Sequence, residues 1–295
     1  MSALFSRLIL ACVVSRPSQI KKVLKDHGLA PKKWMGQNFL VDPSYLRRIV
    51  VASKVERGDS VVEVGAGLGV LTEALVEWGA KVWALEVDAG FFRVLEEKFA
   101  FSDQVQLVHA DALRYDFRGL AKTIGQLKVV ANLPYSISSR LLFRIHENRD
   151  IFSSLHILLQ REVAERLVAE PGTKDYGILT VFLAVNAVVD ILFHIPARAF
   201  FPAPDIVSSL VRVSFLEVPT VTVPDMGLLT SLVRSSFAER RKTLRNTLRA
   251  RPIPGVPIEI VLEAAEDAGI DLGRRGETLS PEEFVRFSSA IHARS

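Results

Sequence analysis

Short apolar runs recur up to about residue 215, and most of them end in a polar or turn-forming residue. Such runs are typical of strands buried in a parallel sheet. They predict strands over residues 60–64, 82–85, 105–108, 127–131, 155–159 and 208–215. Helical spacing predicts helices from near Ile20, Pro43, Leu71, Gly90, Ser139 and Arg161, and a helix plus a strand across residues 177–194. The alternation predicts an α/β fold around an open, mostly parallel sheet.

Polar side chains stand at the ends of four predicted strands: Glu63, Glu86, Asp111 and Asn132. The carboxyl ends of parallel strands meet at one edge of an open sheet, and ligands bind at that edge. We therefore expect these four side chains to share one site.

The pattern changes at Pro219–Pro224, after which it is helical. Residues 228–249 form a basic helix pair or one long helix, and residues 258–268 form another. The run from Ser280 to Glu283 opens a last helix with a capping box and Pro at its first position. We predict three parts: a flexible tail over residues 1–18, a Rossmann-like domain over residues 19–218 and a small all-α domain over residues 219–295.

Charge is placed unevenly although the net charge is only +4. Residues 16–33 hold six Lys/Arg against one Asp, and residues 234–251 hold seven against one Glu. The rest of the chain is therefore acidic. Two basic clusters on an acidic body indicate a polyanionic partner.

The second basic cluster has an apolar side formed by Phe237, Leu244 and Leu248. A basic face backed by an apolar one is typical of a helix that packs on its domain and binds phosphate. A merely solvated face would mix charges more evenly, and only Glu239 interrupts this one. We expect RNA contacts, at helical spacing, from Arg234, Arg240, Arg241, Lys242, Arg245 and Arg249.

Several classes of protein are excluded by composition. Cys12 is the only cysteine, so an internal disulfide and a Cys-rich zinc site are excluded. Residues 8–14 and 178–195 are too short or too interrupted to span a bilayer. We expect a monomer with no metal and no membrane partner, in the cytoplasm. The Arg- and Ser-bearing first 25 residues leave open a mitochondrial transit peptide or a mis-started terminus.

Gly65, Gly67 and Gly69 form a tight turn from strand to helix, where the backbone can approach a ligand. The third glycine comes too early for G-x-G-x-x-G, and Glu63 precedes the turn. These departures favour a cationic, zwitterionic ligand over a pyrophosphate, and hence S-adenosylmethionine over NAD. A carboxylate that only caps the helix is the alternative for Glu63.

Two further carboxylates suit the same ligand. Glu86 lies about 20 residues past the glycines, where nucleotide-binding units place a ribose-binding acid. It would accept hydrogen bonds from both ribose hydroxyls, and Asp111 would accept one from the adenine amino group. The alternative for Asp111 is a cap on the short segment at Ala112.

Asn132-Leu133-Pro134-Tyr135 ends a buried strand with an amide and an aromatic ring. An amine attached to an aromatic ring is a poor nucleophile, because its lone pair is delocalised into the ring. The Asn132 side chain and the Leu133 backbone could accept both amine hydrogens and favour the nucleophilic geometry. Tyr135 would stack on an extruded adenine, and Phe200 or Phe201, in an extended linker, would cover its other face. The alternative is an ordinary strand-ending turn.

Five motifs in order resemble those of the small-subunit ribosomal RNA adenine N6-dimethyltransferase family: residues 36–40, 63–69, 132–135, 200–208 and 240–246. The resemblance covers about residues 19–290. It implies a class I S-adenosylmethionine-dependent methyltransferase fold, with cofactor contacts that include Gln37, Asn38, Leu40 and Ala112. It also implies that Phe200 is the stacking residue. The expected reaction is dimethylation of two adjacent adenines near the 3′ end of small-subunit rRNA during ribosome assembly.

Two rival functions stay open. One is dimethylation of a large-subunit rRNA adenine of the antibiotic-resistance type, against which the run from Arg240 to Asn246 argues. The other is a non-catalytic homologue that resembles mitochondrial transcription factors. The intact tetrapeptide at residues 132–135 and the intact glycine loop argue against lost catalysis.

Overall fold

The computed structural model describes residues 17–31, 36–216 and 222–295. The predicted tail over residues 1–18, and the transit-peptide interpretation with it, therefore lie almost entirely outside the described residues. The chain divides into two compact units. The first comprises the chain up to Ala164 together with Asp190–Ser214, and the second comprises Glu165–Val189 and Phe215–Ser295.

Twelve helices and nine strands follow one another in the described residues. Up to Gln160 they are α1 (Pro17–Asp26), β1 (Phe39–Leu40), α2 (Pro43–Ala52), β2 (Ser60–Val64), α3 (Val70–Glu77), β3 (Lys81–Glu86), α4 (Ala89–Lys98), β4 (Val105–His109), α5 (Phe117–Ile124), β5 (Leu127–Asn132), α6 (Ser138–Glu147) and β6 (Phe152–Gln160). Then come α7 (Arg161–Leu167), α8 (Ile178–Asn186), β7 (Ala187–Ile195), β8 (Phe200–Phe201), β9 (Ser208–Phe215), α9 (Met226–Phe237), α10 (Leu244–Ala250), α11 (Ile258–Asp267) and α12 (Pro281–Arg294).

A seven-stranded sheet in the order β4-β3-β2-β5-β6-β9-β7 forms the centre of the first unit. Strands β2 to β6 pair in parallel, and β9 runs antiparallel to β6. The chain moves outward from β2 to β3 and β4, and then returns to the other side of β2 at β5. The strand order therefore reverses between β2 and β5, which is where ligands bind in open α/β sheets. The predicted α/β fold is confirmed.

Helix α2 shows how the sequence positions these elements. Asp42 caps it by accepting a hydrogen bond from the Ser44 N–H, and Pro43 occupies its first turn, as the sequence predicts. Its predicted apolar face, Leu46, Ile49 and Val50, is almost fully buried in the core of the first unit. Burying a side chain of this size contributes about 1.5–3 kcal/mol.

Strands β1 and β8 form a separate two-stranded sheet that the sequence does not predict. Phe39 pairs with Phe201 and Leu40 with Phe200, in antiparallel register. The linker of residues 200–204 is extended, as predicted, but its beginning is a strand. Its pairing joins the segment before α2 to the segment before β9.

The second unit contains more of the chain than the predicted domain over residues 219–295, because Glu165–Val189 belongs to it. Helix α8 in this segment is apolar on nearly all sides, with Val181, Phe182 and Leu183 buried. Such a helix must be covered all round. The hydroxyl of Tyr176, just before α8, donates to the Leu279 carbonyl over 2.9 Å. Among the described residues, no helix is long and apolar enough to cross a membrane.

Candidate active site

A cavity of about 500 Å³ lies at the carboxyl ends of β2, β3, β4 and β5. Small-molecule sites typically measure roughly 300–1,000 Å³. All predicted cofactor residues except Gly69 line it: Gln37, Asn38, Leu40, Glu63, Gly65, Gly67, Glu86, Asp111, Ala112 and Asn132. The structure thus gathers the four polar strand ends around one space, as their positions in the sequence predict.

The glycine loop lies against other parts of the chain as well as the cavity. Gly65 has φ 75°, and a Cβ there would stand 3.0 Å from Cδ of Pro134. Gly69, at φ 70°, would place a Cβ 2.7 Å from the Phe99 ring and 2.8 Å from Leu95. Gly69 therefore does not line the cavity. Its place in the loop is explained by close packing against the end of α4.

Glu86 is held by the backbone around it. Its Oε1 accepts hydrogen bonds from the N–H groups of Val87 (2.9 Å) and Asp88 (2.8 Å), and its Oε2 accepts one from Gly67 (2.7 Å). Burial raises the pKa of this carboxyl, and the three backbone donors act in the opposite direction. A carboxylate has about four acceptor positions. In this orientation Glu86 therefore keeps about one acceptor position, on Oε2, for a ligand hydroxyl.

Glu63 is enclosed between β2 and the first turn of α3. Its Oε2 accepts a hydrogen bond of 2.6 Å from the Thr72 hydroxyl, and only 2% of the residue is exposed. Burial raises its pKa from 4.5 to about 8, although the Thr72 bond acts against this shift. Because the donor is the Thr72 side chain and not a backbone N–H, this bond is not the helix cap of the alternative interpretation, and Glu63 also lines the cavity.

Asp111 also bonds to its own loop. Its Oδ1 accepts a hydrogen bond of 2.8 Å from the Leu113 N–H. This is the cap at Ala112 that the sequence raises as an alternative. Asp111 and Ala112 also line the cavity, so a cap and a ligand contact are compatible at this residue.

The amide of Asn132 has a defined orientation. Its Nδ2 donates a hydrogen bond of 2.8 Å to the backbone carbonyl of Asn38. Because a carbonyl only accepts, the group that faces it must be the NH₂. The carbonyl oxygen of the Asn132 side chain is therefore left as the acceptor, and the residue lines the cavity.

The remaining tetrapeptide residues differ in their surroundings. Leu133 is 1% exposed, so its side chain belongs to the core. Pro134 lines the cavity beside Gly65. Tyr135 is partly buried, and its hydroxyl lies 2.6 Å from Oγ of Ser208. Burial raises its pKa, and the contact with Ser208 opposes that rise.

Phe200 and Phe201 are alternatives for the second face of an adenine site. Phe200 is 3% exposed, belongs to the core of the first unit and does not line the cavity. The Phe201 ring is less buried, and the ammonium of Lys21 lies 5.5 Å from its centre. Stacking by Phe200 stays a prediction, and it requires the buried ring to become accessible from the cavity.

Sequence reasoning missed several residues of the cavity wall. Val87, Phe91, Ser136, Ile137 and Arg140 all line it. The first two follow Glu86 into α4, and the others follow the tetrapeptide into α6. The signal that could have found them is their position: each lies shortly after a strand that delivers a polar side chain to the site.

The predicted RNA-binding residues lie in the second unit and fall into two groups. Arg240, Arg241 and Lys242 are in the break between α9 and α10, so the predicted helical spacing is wrong for them. Arg240 donates to the Glu277 carboxylate (2.6 Å) and to the Lys174 carbonyl (2.9 Å). Lys242 pairs with Glu239 at 2.5 Å. The others are exposed on the two helices: Arg234 on α9, and Arg245 and Arg249 on α10.

The polar groups that line the cavity fit S-adenosylmethionine. Glu86 and Asp111 offer carboxylate acceptors to hydroxyl and amino groups, and the acidic lining suits a ligand that carries a sulfonium and an ammonium. Among the described residues, no group of His, Cys, Asp and Glu is arranged to hold a metal ion.

Comparisons with known proteins agree with this geometry. The sequence model of the family described as "Ribosomal RNA adenine dimethylase" matches residues 29–291. The ribosomal RNA small subunit methyltransferase A of Shouchella clausii is 39% identical over 285 residues, which cover 95% of this chain and 96% of that protein.

Two solved structures share the fold. A dimethyladenosine transferase from Plasmodium falciparum has a TM-score of 0.70 and 23% identity, over 84% of this chain and 95% of its own. The 23S rRNA methyltransferase ErmE has a TM-score of 0.62 and 23% identity, over 86% of this chain and 99% of its own. At these identities only the fold is informative, and it is that of a class I methyltransferase. Because the family pattern spans most of the sequence, the chain belongs to the ribosomal RNA adenine dimethylase family.

Proposed function

We propose that the protein dimethylates N6 of two adjacent adenines near the 3′ end of small-subunit rRNA, during assembly of that subunit. The observation that carries this proposal is the orientation of Asn132 at the cavity wall. One N–H of its amide donates to the Asn38 carbonyl, and this orientation turns the amide oxygen into an acceptor for the site. An acceptor is what an adenine amino group requires.

The chain's own residues act by positioning. The Asn132 side-chain oxygen and the Leu133 backbone carbonyl would accept the two hydrogens of the amine and direct its lone pair toward the methyl donor. Tyr135, anchored at Ser208, would hold the base by stacking. S-adenosylmethionine supplies a methyl group on a sulfonium, a good leaving group. No residue need act as base, because the cationic nitrogen formed on attack loses its proton readily. Positioning and electrostatics together supply the catalysis.

The choice of the small subunit is supported by sequence. The relative from Shouchella clausii, named for the small subunit, is 39% identical over almost the whole chain. The large-subunit enzyme ErmE shares the fold at 23% identity, which says nothing of substrate. The run from Arg240 to Asn246 also resembles the small-subunit type.

We also propose that RNA binds the second unit through exposed Arg241, Arg245 and Arg249. For the side chains of these three, no ion pair or hydrogen bond is present within the described parts of the chain. We assign Arg240 a structural role and not an RNA contact, because its guanidinium donates to both Glu277 and the Lys174 carbonyl. The protein would act as a monomer in the cytoplasm, or in mitochondria if residues 1–18 target it there.

The experiment supplies purified protein and methyl-labelled S-adenosylmethionine to immature small subunits, and maps the labelled nucleotides. We expect dimethyladenosine at two adjacent positions near the 3′ end. Label in large-subunit RNA instead would contradict the substrate.

A variant tests the mechanism. Asn132→Ala should abolish transfer and leave cofactor binding, measured by calorimetry, within a few-fold of wild type. Gln126→Ala, which removes an exposed amide outside the cavity, is the matched control and should behave as wild type. Unchanged activity of Asn132→Ala would refute the role given to its amide.

A further inference from the structure

Arg140 is the only cation among the described residues that line the cavity. It is exposed, and its guanidinium has neither an ion pair nor a hydrogen bond within the described chain. The three acids of the lining, Glu63, Glu86 and Asp111, stand at the ends of β2, β3 and β4 or just after them. Arg140 instead follows the tetrapeptide that ends β5. It therefore belongs to the part of the wall that Asn132 forms.

The place of Arg140 in its helix is electrostatically unfavourable. It is the third residue of α6, a helix whose first turn has no acid and whose N-cap, Ile137, makes no side-chain cap. The N-terminus of a helix carries partial positive charge, so a cation there is repelled and an anion is attracted. A guanidinium at this point would be stabilised by an anion shared between it and the helix terminus. Local rules of this kind are broken mainly at functional sites.

The anion is identified by the substrate. When an adenine enters the cavity beside Asn132, its sugar and phosphates stay outside, at the mouth. Arg140 is at that mouth, because it is both exposed and part of the lining. Guanidinium groups bind phosphate through two parallel hydrogen bonds, which fix orientation as well as distance.

We propose that Arg140 binds a backbone phosphate next to the target adenosine and is thereby a positioning residue for the flipped base. This proposal rests on the function proposed above. The rival anion is the carboxylate of S-adenosylmethionine. The phosphate is favoured because Arg140 lies after the tetrapeptide, on the wall formed by Ser136 and Ile137 rather than by the acids.

The test is Arg140→Ala, assayed with small-subunit rRNA. The loss of one charge-assisted contact should lower kcat/KM about tenfold, mainly through KM. The slope of log affinity against log salt concentration should become shallower by about 0.7–0.9, the value for one phosphate. The dissociation constant for S-adenosylmethionine should not change. The melting temperature should stay equal or rise, because a cation leaves the helix start, so misfolding is not the cause of the loss.

Two variants make the test specific. Arg140→Lys keeps the charge and should recover the wild-type salt slope and most of KM. Arg93→Ala removes an exposed arginine of α4 that does not line the cavity, and should change neither.

Two outcomes would overturn the proposal. One is an unchanged KM and salt slope in Arg140→Ala. The other is weaker cofactor binding with an unchanged RNA salt slope, which would assign Arg140 to the cofactor carboxylate. The assay of the wild-type protein distinguishes failure of the Arg140 proposal from failure of the proposed function. If the wild type methylates another RNA, the function is wrong, and Arg140 is tested on that RNA.

Discussion

The two ends of the cavity hold their polar groups in different ways. At the acidic end, Glu86 and Asp111 accept hydrogen bonds from backbone N–H groups of the loops that follow them. At the amide end, Asn132 bonds to Asn38, 94 residues earlier, and Tyr135, which lies next to the lining but is not part of it, bonds to the start of β9, 73 residues later. The acidic end is largely preorganised by local loops. The amide end exists only when distant segments have come together.

This difference fits the two ligands. The cofactor is one small molecule, identical in every turnover, and a rigid local frame suits it. The adenine arrives from RNA, and its proposed site would be shared among the tetrapeptide, the segment near β1 and the start of β9. Changes at the amide end should therefore alter transfer, and changes at the acidic end should alter cofactor affinity or stability.

The largest effect is expected at the amide end, from Asn132→Asp. The new carboxylate would put an oxygen against the Asn38 carbonyl, where an NH₂ now donates. Loss of the aligned acceptor should lower the single-turnover methylation rate about 10²–10³-fold, as for other preorganised polar groups. Calorimetry should show little change in cofactor affinity. A loss of cofactor affinity equal to the loss of rate would erase the distinction between the two ends.

The next effect concerns stability and pH at Glu63. Its pKa is raised by burial from 4.5 to about 8, so its stabilising effect is complete below pH 4.5 and is lost as pH rises through 8. Glu63→Gln resembles the protonated acid. Its free energy of unfolding should exceed that of wild type by about 3 kcal/mol at pH 7, and this difference should be much smaller at pH 5. Urea titration at both pH values measures this.

A second buried group, His156, also makes the stability of the protein depend on pH. Burial lowers its pKa from 6.5 to about 4, so its own effect on stability is lost as pH falls through that range. Because His156 is present in both wild type and Glu63→Gln, its effect cancels in the difference between the two proteins at each pH. Glu96→Gln, at an exposed site, is the control. An advantage of Glu63→Gln that is the same at pH 5 and pH 8 would rule out ionisation as its cause.

A smaller effect is expected from Glu86→Gln. One of the two oxygens becomes an NH₂, which faces backbone donors and cannot accept from them. The dissociation constant for S-adenosylmethionine should rise about 10–50-fold, the effect of one or two charge-assisted hydrogen bonds. Saturating cofactor should restore most of the methylation rate. A constant within threefold of wild type would mean that the ribose binds elsewhere.

The smallest effect is expected from Tyr135→Phe, which keeps the ring and removes the contact of 2.6 Å with Ser208. Loss of one neutral hydrogen bond, about 1 kcal/mol, should lower kcat/KM about fivefold. Ser208→Ala should have a similar effect, and the double variant should be little worse than either single one. Additive losses would show that the two hydroxyls act separately.

Much of the site could be predicted because topology determines it. A polar residue at the end of a buried parallel strand can go only to the carboxyl edge, so Glu63, Glu86, Asp111 and Asn132 meet there. What could not be predicted depends on pairing between distant segments. The two-residue strands β1 and β8 are too short for a periodic signal, and the bond from Asn132 to Asn38 depends on where they lie.

Charge was a poorer guide than strand position. The sequence assigns six cations of the second unit to RNA, but Arg240 and Lys242 are paired with Glu277 and Glu239. A count of like charges cannot tell which of them have an internal partner. Arg140 shows the converse, because a single arginine outside any basic cluster reaches the cavity wall.

The orientation of Asn132 has one more consequence, for how the protein recognises its finished product. One N–H of its side chain is bound to Asn38, and its side-chain oxygen is the acceptor that remains for the site. In the proposed mechanism an unmethylated adenine would bring two N–H groups to the Asn132 and Leu133 oxygens, a monomethylated one would bring one, and a dimethylated one would bring none. Each transfer thus removes one hydrogen bond between base and enzyme. Since an acceptor left unpaired in a partly desolvated site costs about 1–3 kcal/mol, we expect the affinity for the base to fall stepwise and release to be favoured after the second methyl group.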